Sequence, residues 1–349
     1  MNQSPAEEVC RVGGLTDVGR KRADNQDQFL IAELRKSMMV RATSLPVHSD
    51  SRLFGGARGQ VLVVADGMGG HASGRRASSI AVDNLISQLL NRVHWFLQRD
   101  DDAEEEFVHS LQRLLRRAHA KVLSEAANDA SNRGMGTTLT MAHIVWPHLY
   151  VVHAGDSRCY LIRDGVCRQL TTDHTLARQM VEAGGLKPEE EASSRWSNVL
   201  WNVLGGSGEQ ELLADVQRFE LQPGDSLVLC SDGLSRYLSH QMIADVVVDG
   251  GHDVQAICHR LVAMANDAGG EDNITVVVSQ PDPIDEPGDQ ALVQTEVPLN
   301  AILEDDDHTE TKMERDSDLI HPLAYSENAA GDSPVMRRFA EEETLPEDL

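Results

Sequence analysis

Four aspartates stand where short apolar runs begin or end. Asp66 follows Val61-Leu62-Val63-Val64-Ala65, and Asp156 follows Leu149-Tyr150-Val151-Val152 through His153-Ala154-Gly155. Asp232 follows Ser226-Leu227-Val228-Leu229-Cys230-Ser231, and Asp272 stands just before Asn273-Ile274-Thr275-Val276-Val277-Val278. A single Asp-Gly or Asp-Asn pair is most often only a turn. Four aspartates at the strand ends of one sandwich can instead converge on one rim. Carboxylates crowded together cannot all stay ionised without a compensating charge, and a metal ion is the usual one. With oxygen donors and no His or Cys cluster at ligand spacing, Mg²⁺ or Mn²⁺ is favoured over Zn²⁺ or copper. Gly67, directly after Asp66, lets the backbone approach closely, so its carbonyl can join the ligand set. A second cluster, Arg20 to Asp27, places Arg22 beside Asp24 and Asp27 ahead of the strand Phe29-Leu30-Ile31. Arg next to acids suits an oxyanion held beside metals, because its planar fork pairs with two oxygens at once. Alone, the same run reads as a polar surface loop.

The elements that must position these groups are legible in outline. The apolar runs are short, β-rich and bounded by turn residues. Cys159-Tyr160-Leu161-Ile162, Asp164-Gly165 and Val166 onward form a hairpin pattern, since Asp-Gly suits a two-residue turn. Apolar residues at three- and four-residue spacing predict helices over 74–96 and 104–127, with later ones over 176–183 and 254–266. Strands, a helix pair, more strands and another helix imply antiparallel sheets packed face to face with helices outside. Residues 35–60 interrupt the first hairpin as an insertion of mixed character, and 184–203 form a second irregular stretch.

Composition narrows the function. The 349 residues carry 31 Lys and Arg against 56 Asp and Glu, a formal charge of −25. Free-standing binders of nucleic acid or anionic membrane need the opposite sign. No apolar run reaches the roughly 18 residues of a membrane span, and the first ten residues do not read as a signal peptide. Five scattered cysteines (Cys10, Cys159, Cys167, Cys230, Cys258) without a C-x-x-C pair suggest reduced thiols and a cytoplasmic protein. The charge is uneven, for residues 281–349 hold 20 acids and 4 bases. The expected organisation is therefore a flexible 1–8, a domain over 9–280 and an acidic disordered tail over 281–349.

Six blocks occur in order: Arg22-Ala23-Asp24-Asn25-Gln26-Asp27, Ala65-Asp66-Gly67-Met68-Gly69-Gly70-His71, Gly136-Thr137-Thr138, Gly155-Asp156-Ser157-Arg158, Ser231-Asp232-Gly233-Leu234 and Asp272-Asn273-Ile274-Thr275. Together they resemble the bacterial form of the metal-dependent Ser/Thr protein phosphatases of type 2C, the PPM family. The resemblance spans about residues 9–280. It implies an α+β fold, a four-layer αββα sandwich of two antiparallel β-sheets flanked by helix pairs, with a dinuclear Mn²⁺ or Mg²⁺ site at one edge. Carried over residue by residue, Asp66 resembles the carboxylate bridging both metals and Gly67 the carbonyl ligand of one. Asp232 and Asp272 match the carboxylates on the other metal, and Asp156 the acid that helps Asp232 hold a third, weaker ion. Arg22 matches the substrate-phosphate arginine, Asp27 the acid orienting metal-bound water, and the stretch near 174–203 the flap beside the cleft. The implied activity is hydrolysis of phosphoserine and phosphothreonine in proteins by a metal-bound hydroxide, opposing a Ser/Thr kinase, in a monomer.

Departures from the family pattern are Met68, where eukaryotic members often carry His, and Gln26, where many members have Glu. His71 is expected to cap or pack near a helix start. None of the five cysteines has the C-x₅-R context of a cysteine phosphatase. The alternative from another class is a catalytically silent phosphopeptide-binding regulator, which is expected to lack one of Asp66, Asp232 and Asp272. A two-metal phosphodiesterase or nuclease is disfavoured by the acidic balance and the absence of a basic, aromatic-rich groove.

Overall fold

Alternate residues of the apolar runs enter different cores, and this period of two sets the architecture. The computed structural model describes residues 11–44, 52–70, 72–92, 101–206, 211–281 and 292–294. In chain order its elements are β1 (Arg11–Asp17), β2 (Gln28–Met39), β3 (Arg52–Ala65), β4 (Gly67–Met68), α1 (Ala72–Arg92), α2 (Asp101–Asn128), β5 (Gly136–Thr137), β6 (Leu139–Val145), β7 (His148–Ala154), β8 (Arg158–Arg163) and β9 (Val166–Gln169). There follow α3 (Leu176–Glu182), β10 (Leu204–Gly205), β11 (Asp215–Glu220), β12 (Ser226–Cys230), α4 (Asp232–Ser235), α5 (His240–Gly250), α6 (Val254–Asp267), β13 (Ile274–Gln280) and β14 (Leu292–Gln294). One sheet has the order β1-β13-β12-β8-β9, and the other β11-β7-β6-β3-β14 with β2 also on β3. A small ribbon, β10-β5-β4, lies beside them. Every pairing is antiparallel, so the fold is α+β.

Val61, Val63 and Ala65 of β3 share a cluster with Leu85 of α1 and Leu111, Leu114 and Leu115 of α2. Leu62 and Val64 point the other way, into a cluster with Leu161, Leu227, Leu229 and Val277 of the opposite sheet. That sheet's remaining residues, Tyr160, Ile162, Val228, Val276 and Val278, meet Ile243 and Val247 of α5 and Ile257 and Leu261 of α6. Truncating a fully buried leucine such as Leu62 to alanine costs about 2–5 kcal/mol, so each cluster is a substantial share of the stability.

The β8–β9 turn has Asp164 at φ 52 and Gly165 at φ 76, the two positive angles that a type I′ hairpin needs. The helices read from periodicity are all present, with α1 described as far as Arg92 and α2 from Asp101. The irregular insertion is corrected: β2 and β3 run on into it as a ladder, with Ser37 opposite Phe54 and Met39 opposite Arg52 after a register shift past Arg35. Its basic and polar residues hid the strand, for Lys36 to Met39 of β2 are exposed and give no apolar alternation. Residues 45–51 lie outside the described residues, as do 1–10 and His71. Of the expected acidic tail, Pro281 and β14 alone are described, and β14 pairs with the start of β3, Leu292 opposite Phe54.

Candidate active site

Each aspartate is held at the mouth of the sheets by its own local chemistry. Asp66 leaves β3 where the strand turns into β4. Its N–H donates to Thr138 Oγ1 (2.9 Å), while its carbonyl accepts from Thr138 N–H (2.9 Å) and Thr137 Oγ1 (2.9 Å). Thr138 Oγ1 also meets Ser157 Oγ at 2.6 Å, tying the Asp66 turn to the loop that carries Asp156. Residue 67 must be glycine, because a Cβ there would stand 2.2 Å from the Gly74 carbonyl as the first turn of α1 presses on the turn. Gly155, at φ +113, turns the chain out of β7 to present Asp156. Asp232 opens α4 directly after β12, and Asp272 sits two residues before β13.

The N-terminal loop is anchored by Asn273. Its Nδ2 donates to the carbonyls of Val18 and Asp24 (both 3.0 Å), and its Oδ1 accepts from Gln26 N–H (2.9 Å). Arg75 and Ser78 of α1 hold the carbonyls of Asn25 (2.8 Å) and Gln26 (2.7 Å). Arg22 is thereby set over the cleft, its Nη2 2.8 Å from Asp272 Oδ2.

The result is a cleft of about 600 Å³ lined by Arg22, Asp24, Gln26, Asp66, Gly67, Met68, Thr138, Asp156, Asp232, Arg236, Asp272 and Asn273, with Asn198 and Leu200 from the irregular stretch. Six of the seven expected site residues thus share one cavity. Asp27 lies behind it, 3% exposed, with Oδ2 accepting from Ser231 Oγ (2.8 Å) and Thr275 Oγ1 (2.7 Å). The irregular stretch closes on itself through Thr175 bridged to Leu200 and Trp201 N–H donating to the His174 carbonyl (3.0 Å).

Electrostatics mark the cleft as short of positive charge. Burial first, then Asp27, Asp232, Asp156 and Asp272, holds the Asp66 carboxyl well above the usual carboxylate range. Burial, with help from Asp232 and Asp173, pushes Asp156 up to about 8. Asp27 is pushed up to about 7, again mainly by burial, against the lowering effect of its two hydroxyl donors. Asp232 is raised by burial, with Arg236 opposing. Among the described residues Oδ1 of both Asp27 and Asp232 is buried without a hydrogen-bond partner. Arg22 and Arg236 are the cleft's own cations, and Asp232 and Asp272 turn toward them. Among the described residues no three His, Cys, Asp or Glu side chains form a closed cage in this arrangement. The donor set nevertheless fits hard divalent cations: all oxygen, densely anionic, with one carboxylate oxygen left orphaned.

Residues the sequence reading passed over do much of the positioning. Thr138, Ser157, Ser231, Asn273 and Thr275 lie inside the six blocks, and that proximity was the available signal. Arg236 carried a plainer one, standing one helical turn beyond Asp232.

Comparison with known proteins agrees with this geometry. Residues 47–279 match the family described as Protein phosphatase 2C. Protein phosphatase PhpP of Streptococcus pneumoniae is 34% identical over 269 residues, 76% of this chain and 94% of that protein. The crystal structure of the Mycobacterium tuberculosis serine/threonine phosphatase PstP/Ppp superposes with a TM-score of 0.62 at 30% identity, covering 79% of this chain and 100% of that one. A structure of the catalytic domain of the serine/threonine phosphatase PstP in complex with two manganese ions has a TM-score of 0.59 at 28% identity, over 79% and 99% of the two chains. This chain belongs to the protein phosphatase 2C family, whose members bind divalent metals. Arg22 and Asp27 precede the segment matched to the family pattern.

Proposed function

We propose that this metal-dependent serine/threonine protein phosphatase holds two divalent cations, Mn²⁺ or Mg²⁺, through Asp66, Gly67, Asp232 and Asp272, with Asp156 and Asp232 serving a weaker third. The observation that carries this reading is the convergence of four strand-end aspartates on one cleft, with the carboxyls of Asp66, Asp156 and Asp232 raised by burial. Bound there, the cations would make water a nucleophile near neutral pH and neutralise charge on the phosphoryl group. Around them the chain's own residues have separate tasks. Arg22 binds the phosphoryl oxygens with its fork and so fixes the phosphorus for in-line attack. Asp27, fixed by Ser231 and Thr275, keeps Oδ1 free to accept a proton or orient water from beneath. Met68 offers no proton, so the leaving oxygen takes its proton from water or from another residue of the cleft.

The finer fold reading is a four-layer αββα sandwich, supported by the three clusters that alternate between helices and sheets. The substrates are phosphoserine and phosphothreonine proteins made by an opposing kinase, and the working form is a cytoplasmic monomer. Among the described residues no helix is long and apolar enough to cross a membrane. The test is hydrolysis of a phosphothreonine peptide by wild type and Asp232→Ala with and without Mn²⁺. Turnover only by wild type with Mn²⁺ is expected. Tight phosphopeptide binding without turnover by the wild type would establish the silent-regulator alternative instead.

A further inference from the structure

We propose that Arg236 is a second phosphate-binding residue, acting with Arg22 as a two-armed clamp; this rests on the reading of the site given above. Arg236 follows α4 and lines the same cleft as Arg22, although 214 positions separate them in the chain. Its Nη2 donates to Asp232 Oδ2, and its Nη1 stands 3.9 Å from Asp272 Oδ2. That same oxygen accepts from Arg22 Nη2 at 2.8 Å. Two guanidiniums from distant elements therefore converge on one anionic oxygen. A phosphoryl oxygen satisfies the same stereochemistry, because a guanidinium fork pairs with carboxylate and phosphate alike.

Asp232 and Asp272 are also the carboxylates assigned to the cations. When they turn to an ion, both arginines lose their present acceptor while remaining beside the cleft. Among the described residues the Arg236 guanidinium has its one side-chain hydrogen bond to Asp232, with Asp272 its looser ion-pair partner. Its side chain is 37% exposed, so it is free to re-aim toward the cavity. A phosphomonoester dianion brings three oxygens to that space, enough for one arginine on each side and the cations below.

The experiment uses the full chain as wild type, Arg22→Ala, Arg236→Gln and Arg236→Lys. Inorganic phosphate is titrated calorimetrically into each Mn²⁺-loaded protein, KM is measured for an aryl phosphate, and Mn²⁺ affinity is measured separately. Loss of a charge-assisted hydrogen bond should weaken phosphate binding and raise KM about tenfold or more in Arg236→Gln. Arg236→Lys, which keeps the charge and loses the fork, should recover part of that loss and covers the case that the glutamine variant folds poorly. Mn²⁺ should bind Arg236→Gln at least as tightly as wild type, since a competing cation has been removed. Unchanged phosphate affinity in Arg236→Gln, with a loss in Arg22→Ala, would overturn the clamp and leave Arg236 as an ion-pair partner of Asp232. Weakened Mn²⁺ binding with unchanged phosphate affinity overturns it equally. If neither arginine variant alters phosphate affinity, the assignment of the phosphate site itself falls.

Discussion

Replacing His143 with leucine should stabilise the protein and flatten its response to mild acid. His143 lies in β6 with no exposed surface, beside Phe107 (ring centroids 5.5 Å) and Tyr150 (6.4 Å). Among the described residues neither ring nitrogen has a hydrogen-bond partner. Burial pushes the imidazole down to about 4. The unfolded chain therefore takes up this proton below about pH 6.5, whereas the folded chain does so only below about 4. The folded state's advantage is complete above pH 6.5 and is lost as pH falls from there toward 4. At about 1.4 kcal/mol per pH unit, moving from pH 7 to pH 5 removes about 2 kcal/mol through this one residue, roughly 4–8 °C in Tm. Leucine has no proton to bind and no polar atom to leave unsatisfied. Its gain at pH 7 is about 1–3 kcal/mol for the lost desolvation penalty, less about 0.5–1.5 kcal/mol of ring contacts. His153, pushed down to about 3 mainly by burial, adds acid sensitivity of the same sign but is present in both proteins and cancels. The assay is urea unfolding of wild type and His143→Leu at pH 7 and pH 5. An equal stability drop in both proteins would refute the reasoning, because it would mean that the folded His143 titrates as it does in the unfolded chain.

Arg22→Ala should raise KM for phosphopeptide and aryl phosphate about tenfold with a smaller fall in kcat, because a contact to phosphate is lost; steady-state kinetics check this. Thr138→Val removes the acceptor of the Asp66 N–H and the partner of Ser157, so it should cost about 1–3 kcal/mol in denaturant unfolding and lower kcat. Ending the chain after Gln280 removes β14, which pairs at Arg52–Phe54. At about 3.3 Å per residue that pairing lies roughly 40–45 Å along β3 from Asp66, so aryl phosphate turnover should stay within about twofold of wild type. The lost acidic segment should change only the preference between acidic and basic phosphopeptides, and that change should vanish in 1 M salt, where the Debye length is about 3 Å.

What could be read from the sequence depended on whether a residue's role is local. Asp66, Asp156, Asp232 and Asp272 stood out because a strand end, a turn glycine and an acid are all encoded within a few positions. The Asp164-Gly165 turn and the leucine stripes of α1 and α2 were legible for the same reason. Strand β6 was missed because Thr140, Ala142 and His143 break up its apolar run, although almost every residue in it is buried. Strand β1, with two consecutive glycines, lacks the unbroken β-branched run that marks a strand, and α5 was hidden because its Val246-Val247-Val248 favours a strand over a helix. The depth of Asp27 was hidden because Ser231 and Thr275, which hold it, lie more than 200 positions away. Arg236 was overlooked because its meaning depends on Asp272 and Arg22, which only the folded chain brings beside it.

The central claim is that a crowd of buried carboxylates around Asp66 is completed by divalent cations. Thermal unfolding of wild type and Asp66→Asn, each in chelator and in rising Mn²⁺, tests it most directly. In chelator the variant should melt higher, since one member of a mutually repelling, desolvated set has become neutral. Mn²⁺ should raise the wild-type Tm progressively while leaving that of the variant nearly flat, and only the wild type should hydrolyse a phosphothreonine peptide. An Asp66→Asn protein that melts lower in chelator, gains the same Mn²⁺ stabilisation and keeps near-full turnover would contradict the account.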